Sequence, residues 1–375
     1  MPSARVWLLT ALGVLLTMSL LMVASASIPF AMKHELYPMR FFVSQLAYML
    51  IACMVGGILY QLPLSVFYRI STFVPVAAFI VVLLVLTLLF GMDIKGAKRW
   101  LNVAGFSFQA AEFVKVFLVL VVAEFMVRRS GEVRVAMLSA VRLALWYAPF
   151  GLLLIMQPDY GSFAVIMATL MVMFFVGGAP FKQYAVLAVV GVVLLGVTAM
   201  SADYRQTRIM SFLDPFDDVQ DSDYQLARSL VAYGRGELSG VGYGNSLLKL
   251  EHLPEAHNDF LLAVVGEELG FIGVSLVILL EVIIISSIMR ISYNTLMRHQ
   301  LRLSYTCFGF GVVIFGQVLI NAGMTMGLLP TKGLTLPFFS YGGSAMLFSI
   351  IMIAIVLKID KQSPSIAANG NNRDY

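Results

Sequence analysis

Apolar runs of about twenty residues recur along this chain from Trp7 to Leu357, and that recurrence limits what it can fold into more than any single motif. A helix needs about 20 residues to cross a hydrocarbon core ~30 Å thick. Inside that core every backbone N–H and C=O must find a partner within the protein, which leaves helices or closed barrels. The runs are continuous and do not alternate, so they read as helices. Length places about ten spans, at 7–28, 41–60, 72–91, 110–127, 143–157, 161–178, 184–200, 259–288, 305–326 and 341–358. Only 12% of the residues are charged, against roughly 25% in soluble domains, which agrees with that reading. The expected fold is an all-α polytopic integral membrane protein with one large extracytoplasmic loop, 201–258, between spans 7 and 8. Pro158-Asp159-Tyr160 alone separates spans five and six, which reads as a tight helical hairpin.

Basic residues orient the stack. Arg128, Arg129, Arg134 and Arg142 fall in one connection, Arg290, Arg298 and Arg302 in another, and Lys358 and Lys361 close the last span. With an even number of spans these groups share a side with Arg5, so both termini are expected in the cytoplasm. The loops around 92–109, 201–258 and 327–340 then face outward. They carry Lys95, Lys98, Arg99, Arg205, Arg208, Arg228, Arg235, Lys249 and Lys332, more cations than orientation calls for. Such residues suit an anionic ligand, although Asp203, Asp214, Asp217, Asp218, Asp221 and Asp223 balance much of the long loop. A solvated mixed-charge loop is the alternative.

Several function classes drop out. The chain has no Gly-x-x-x-x-Gly-Lys-Ser/Thr loop and no soluble stretch large enough for a nucleotide-binding domain. The glycines at 234, 236, 240, 242 and 244 follow no strand and read as turns. The four histidines lack metal-ligand spacing, and Cys53 and Cys307 lie inside separate spans as packing residues. Ala24-Ser25-Ala26 imitates a secretory cleavage site, but the apolar stretch before it is longer than the 7–15 residues of a signal core, so a retained span is expected. The tail 362–375 has too little apolar content to fold alone and is expected to be a disordered cytoplasmic segment after a single domain, 1–361.

Ionisable residues in or beside the spans carry the chemistry, because such groups are costly there and mark functional positions. Asp259 stands where the large outer loop re-enters the membrane, two residues after His257. Glu112 and Lys115 share a helix face at the start of the fourth span, either as a structural ion pair or as substrate contacts. Asp159 interrupts the hairpin and needs a partner, which Arg99 or a divalent cation could supply. Of Glu267 and Glu268, two or three turns past Asp259, one is expected to face the bundle interior. Lys332 lies between Pro330 and Pro337 in a broken or re-entrant segment, which is tolerated only if protein or water satisfies its backbone.

Six ordered motifs span nearly the whole chain: Gly96-Ala97-Lys98-Arg99-Trp100-Leu101; Phe108-Gln109-Ala110-Ala111-Glu112-Phe113-Val114-Lys115; Gln157-Pro158-Asp159-Tyr160-Gly161; Phe212-Leu213-Asp214-Pro215; Leu253-Pro254-Glu255-Ala256-His257-Asn258-Asp259-Phe260; and Pro330-Thr331-Lys332-Gly333-Leu334-Thr335-Leu336-Pro337 with Ser340-Tyr341-Gly342-Gly343-Ser344. Together they resemble the shape, elongation, division and sporulation (SEDS) family, and its division branch more than its elongation branch. Two positions depart from the family pattern: Gln109-Ala110-Ala111-Glu112 stands where Gln-Pro-Ser-Glu is usual, and Asn258 where Thr usually precedes the key Asp.

The resemblance implies a ten-span glycosyltransferase that polymerises lipid II into glycan strands at the outer face of the bacterial cytoplasmic membrane, during septal wall synthesis. It implies Asp259 as general base, with Arg99, Glu112, Lys115, Asp159, His257 and Lys332 as substrate-binding residues. It further implies a divalent cation, Mg or Mn, with ligands unknown. The implied ligands are lipid II and undecaprenyl-diphosphate-linked glycan. The implied partners are an FtsI-like class B penicillin-binding protein transpeptidase and the divisome regulators FtsQ, FtsL, FtsB and FtsN. A lipid II flippase is the rival reading, but the sequence shows no repeated pair of broken spans.

The orientation has a direct test. A single cysteine at Asp218, in a background lacking Cys53 and Cys307, should react with a membrane-impermeant thiol reagent in cells with a permeabilised outer membrane, and one at Ser130 should not. Labelling at Ser130 alone would invert the topology.

Overall fold

The computed structural model describes residues 3–94, 97–103, 106–135, 137–200, 224–250, 256–330 and 333–362. Lys332, Arg205, Arg208, the acidic run before Tyr224, the Phe212–Pro215 motif and the tail from 363 lie outside the described residues. The helices are α1 (Ala4–Lys33), α2 (Arg40–Gln61), α3 (Ile70–Phe90), α4 (Ala110–Arg128), α5 (Ser130–Val135), α6 (Met137–Met156), α7 (Tyr160–Val176), α8 (Phe181–Met200), α9 (Tyr224–Gly236), α10 (Leu261–Met297), α11 (Leu301–Thr325) and α12 (Gly343–Gln362).

Ten of these coincide with the ten apolar runs, and seven are long and apolar enough to cross a membrane by length and composition. The other three are α4, which carries Glu112, Lys115, Glu124 and Arg128, the 17-residue α7, and α8. Large apolar side chains such as Leu50, Met54, Val74, Phe79, Leu152 and Leu279 face outward. Water would penalise that surface; lipid does not. Helix α1 runs unbroken through Ala24-Ser25-Ala26, which are buried, and Ser25 Oγ donates to Glu268 at 2.7 Å.

The loop after α3 is an antiparallel three-stranded sheet: β1 (Met92–Ile94), β2 (Ala97–Val103) and β3 (Phe106–Phe108). Its register pairs Asp93 with Lys98 and Leu101 with Phe108. Strands of three residues are too short to show an alternating pattern. Strand β2 places Arg99 between the end of α3 and the start of α4.

Helix α10 is broken at Gly270, whose φ of 67° and ψ of −164° leave the helical region. The loop that follows α9 supplies what the break leaves unsatisfied. Phe271 and Ile272 N–H donate to Glu237 and Leu238 C=O at 2.9 and 3.2 Å, and Val241 and Gly242 N–H donate to Glu267 and Glu268 C=O, both at 3.0 Å. Glu267 accepts from Arg235 at 2.5 Å, from Ser246 Oγ, and from Leu247 and Leu248 N–H. Glu268 accepts from Ser25 and from Lys249 Nζ at 2.6 Å. Both glutamates are fully buried, so where one interior carboxylate was expected there are two, and they fold residues 237–250 onto the helix.

Backbones touch at that junction. A Cβ at Gly236 would stand 1.8 Å from Gly266 O, and one at Gly240 would stand 2.2 Å from Glu268 O. Gly236→Ala should therefore lower the thermal unfolding midpoint, at a cost of about 1–3 kcal/mol for overpacking. Gly234→Ala, whose methyl would meet nothing within 4 Å on the same helix, should be neutral or stabilising. Differential scanning fluorimetry of the purified variants separates them, and equal midpoints would mean α9 can shift off α10.

Candidate active site

Asp259 is half-buried in the turn before α10, and its backbone is fixed from α11. The Asn321 side-chain amide donates to Asp259 C=O at 2.9 Å and to Leu334 C=O at 2.6 Å. One buried amide thus joins the start of α10 to the segment 333–342.

That segment runs without helix among buried residues, the arrangement anticipated around Lys332. Its polar backbone is satisfied by side chains. Ser19 Oγ donates to Phe339 C=O at 2.6 Å, Gln45 Nε2 to Ser340 C=O at 3.2 Å, and Leu336 N–H to Ser340 Oγ at 3.0 Å. Buried Phe338 takes a φ of 58°, a left-handed conformation costly for an aromatic residue, which these bonds hold in place.

Gly333 opens this segment. A Cβ there would stand 3.2 Å from Asp259 Oδ2 and 3.3 Å from Arg99 Nη1. Carboxylate and guanidinium therefore reach the same point above a residue that has no side chain. Arg99 Nη2 donates to Pro158 C=O at 2.5 Å, while its Nε is buried without a hydrogen-bond partner. The site thus sets a carboxylate close to a cation that Pro158 helps hold.

Asp159 is differently placed. It is 1% exposed; Oδ1 accepts from Ser162 N–H at 3.2 Å and caps α7, and Oδ2 accepts from Gln109 Nε2 at 2.9 Å. The partner sought for Asp159 is this pair of donors, and Arg99 bonds instead to the neighbouring Pro158 carbonyl. The hairpin so fixed is what aims Arg99.

Glu112 and Lys115 face each other at 2.6 Å, both essentially without solvent exposure. Glu112 Oε2 has no hydrogen-bond partner, an open acceptor beside a buried cation. The His257 ring packs among Phe30, Phe41 and Tyr341, with centroids 5.2, 4.7 and 5.6 Å away. Its carbonyl accepts Tyr341 N–H at 3.1 Å. His257 therefore secures the approach to Asp259.

The structure thus brings Arg99 and Asp259 together over Gly333, seats Asp159 beneath Arg99, and leaves Glu112–Lys115 as a separate pair on α4. Reading the sequence for charge missed Gln45, Gln109, Asn321 and Gly333. The signal for the first and third was an amide within an apolar run. Among the described residues no three His, Cys, Asp or Glu converge as a metal cage.

Comparison with known proteins gives a consistent picture. The cell cycle protein family of FtsW, RodA and SpoVE matches residues 6–365. The probable peptidoglycan glycosyltransferase FtsW of Acinetobacter baylyi is 39% identical over 352 residues, covering 94% of this chain and 88% of the relative. The protein of that name from Legionella pneumophila is 36% identical, with 95% and 91% covered. A chain of a solved peptidoglycan synthase complex, described as coordinating polymerization and crosslinking, is similar with a TM-score of 0.75 at 24% identity, covering 94% of this chain and 96% of that one. The rod shape determining protein RodA of Thermus thermophilus gives a TM-score of 0.68 at 22% identity, with 96% and 97% covered. At those identities the two structures speak for the fold.

The α4 pair makes its own prediction. Lys115→Met strands the Glu112 carboxylate and should cost about 3–5 kcal/mol, whereas combining it with Glu112→Gln should recover most of that loss. Thermal unfolding of both variants decides it. A double variant as unstable as Lys115→Met would show that Glu112 is not what holds the buried cation.

Proposed function

The chain belongs to the cell cycle protein family of FtsW, RodA and SpoVE, and from that premise we propose that it is a peptidoglycan glycosyltransferase of the FtsW type. In this reading it polymerises lipid II at the outer face of the cytoplasmic membrane, at the division septum, with both termini in the cytoplasm. The observation that carries the proposal is the meeting of Asp259 Oδ2 and Arg99 Nη1 over Gly333.

The chemistry needs that pair. Asp259 takes the proton of the GlcNAc 4-hydroxyl on the acceptor lipid II as that oxygen attacks the anomeric carbon of the growing chain. The anomeric C–O bond breaks, and its electrons leave on undecaprenyl diphosphate. Arg99 meets the departing charge, with Lys332 beside Gly333 in sequence as a second cation. A single displacement inverts the anomeric centre. Gly333 lets the carboxylate and the guanidinium close on one point, and Asp159 acts as a positioning residue through Pro158. Lys115, paired with Glu112, is the third cation of the region.

A divalent cation fits only as a shared ion. The described residues offer no cage, but magnesium is characteristically held by one or two carboxylates plus substrate phosphates, and Asp259 with the lipid diphosphate forms that set. Bound there, it would neutralise diphosphate charge. The transpeptidase partner is an FtsI-like class B penicillin-binding protein. The FtsW-type relatives and the synthase complex of like fold support this reading.

Asp259→Asn keeps size and hydrogen bonding but removes the proton acceptor. Glycan-strand formation from lipid II should fall roughly 10²–10⁴-fold, with the unfolding midpoint unchanged. The assay uses the purified variant with its transpeptidase. Near-normal polymerisation by a folded variant would end the general-base role, and lost lipid II transport with intact polymerisation would favour a flippase.

A further inference from the structure

On the face opposite the site, three cations from two distant parts of the sequence gather around one ring. Arg5 Cζ, Lys358 Nζ and Lys361 Nζ lie 6.0, 5.7 and 5.3 Å from the centroid of Tyr60. They come from the first turn of α1 and the last turns of α12, and Tyr60 ends α2. Arg5 Nη2 also donates to the Tyr60 hydroxyl at 3.3 Å.

Among the described residues no carboxylate answers them. Among the described residues no Asp or Glu forms an ion pair with any of the three, and Asp360, between the two lysines, pairs with none of them. Other cations at these helix ends behave differently: Arg128 and Arg302 share Glu124, and Arg129 and Arg142 share Glu132. Lys358 is only 9% exposed, yet its ammonium has one long bond, 3.5 Å to Gln61 C=O. A largely buried ammonium with one long hydrogen bond is costly, and a ring face returns about 2 kcal/mol to a desolvated cation, less than burying a charge costs. The positive-inside rule explains basic residues on this side. It does not explain three of them converging on one ring with one buried.

We infer that Arg5, Lys358 and Lys361, arranged around Tyr60, bind a phosphate group, presented by an anionic phospholipid of the adjoining leaflet. Basic pockets between helices at a membrane surface recognise such head groups, each cation contributing about 1 kcal/mol. The helix ends sit where lipid phosphates lie. Lys361 and Arg5 reach the surface, while Lys358 extends the cation set inward. The leaflet is the cytoplasmic one under the orientation proposed above; the phosphate site itself does not depend on it. A bound phosphate would clip α1, α2 and α12 together at their inner ends. These are the helices whose outer parts hold segment 333–342 through Ser19, Gln45 and the start of α12.

The test uses the full-length protein in detergent, with phosphatidylglycerol, phosphatidylcholine or inorganic phosphate added, read by thermal unfolding and native mass spectrometry. Phosphatidylglycerol should raise the wild-type midpoint and remain bound, while zwitterionic phosphatidylcholine should do neither. Arg5→Gln with Lys361→Gln should weaken that binding roughly tenfold or more. Arg5→Lys with Lys361→Arg should retain it, and Arg290→Gln, an exposed cation near the inner end of α10, should leave it unchanged. Stabilisation of wild type but not the double variant by inorganic phosphate alone would keep the phosphate site and assign it to a soluble ligand. Equal stabilisation of wild type and the double variant by phosphatidylglycerol, or equal effects of the two lipids, would overturn the proposal. If the double variant does not fold, the single exposed change Lys361→Gln carries the same comparison.

Discussion

The side-chain amide of Asn321 is the interaction on which the outer half of this protein depends. It lies within an apolar helix, and its two donations tie Asp259 to Leu334. Without them the buried Leu334 carbonyl would lose its partner at a cost of about 1–3 kcal/mol, and the half-buried Asp259 carbonyl would lose its tie to α11. Gln45 and Ser19 do the same for Ser340 and Phe339. Irregular backbone can persist beside lipid only where protein supplies its hydrogen bonds, and these three side chains supply them. The geometry over Gly333 follows from that support, since neither Asp259 nor Gly333 is fixed by regular helix.

Three of the buried carboxylates are bonded into the fold itself. Asp159, Glu267 and Glu268 are taken up by backbone N–H groups, hydroxyls and cations of the fold, and they hold loops. Asp259 is the half-buried one, facing Arg99 across a glycine. Partial exposure is what sets Asp259 apart from those three.

The helices were legible in the sequence because a membrane imposes one length scale on all of them, and the ten long helices fall on the ten apolar runs. Asp259 and Arg99 were legible for a related reason: charge near lipid is costly and therefore conspicuous. Other features were not. Strands β1 to β3 are too short for a pattern, and α9 lies in a loop that reads as mixed charge but packs on α10. The pairing of Asp159 with Gln109 joins residues fifty positions apart. A neutral amide carries no charge signal, so Gln45 and Asn321 stayed hidden until their partners came into view.

The break at Gly270 changes which body Asp259 belongs to. The nine residues from Leu261 to Leu269 are joined to the rest of their own helix by a non-helical residue, while loop 237–250 grips them through backbone bonds and two buried glutamates. The same loop also takes the N–H groups of Phe271 and Ile272 beyond the break, so it works as a splint across the glycine, with Asp259 at one end of the splinted stretch. The position of Asp259 therefore depends on residues 237–250, which are distant from it in sequence, as well as on its own helix.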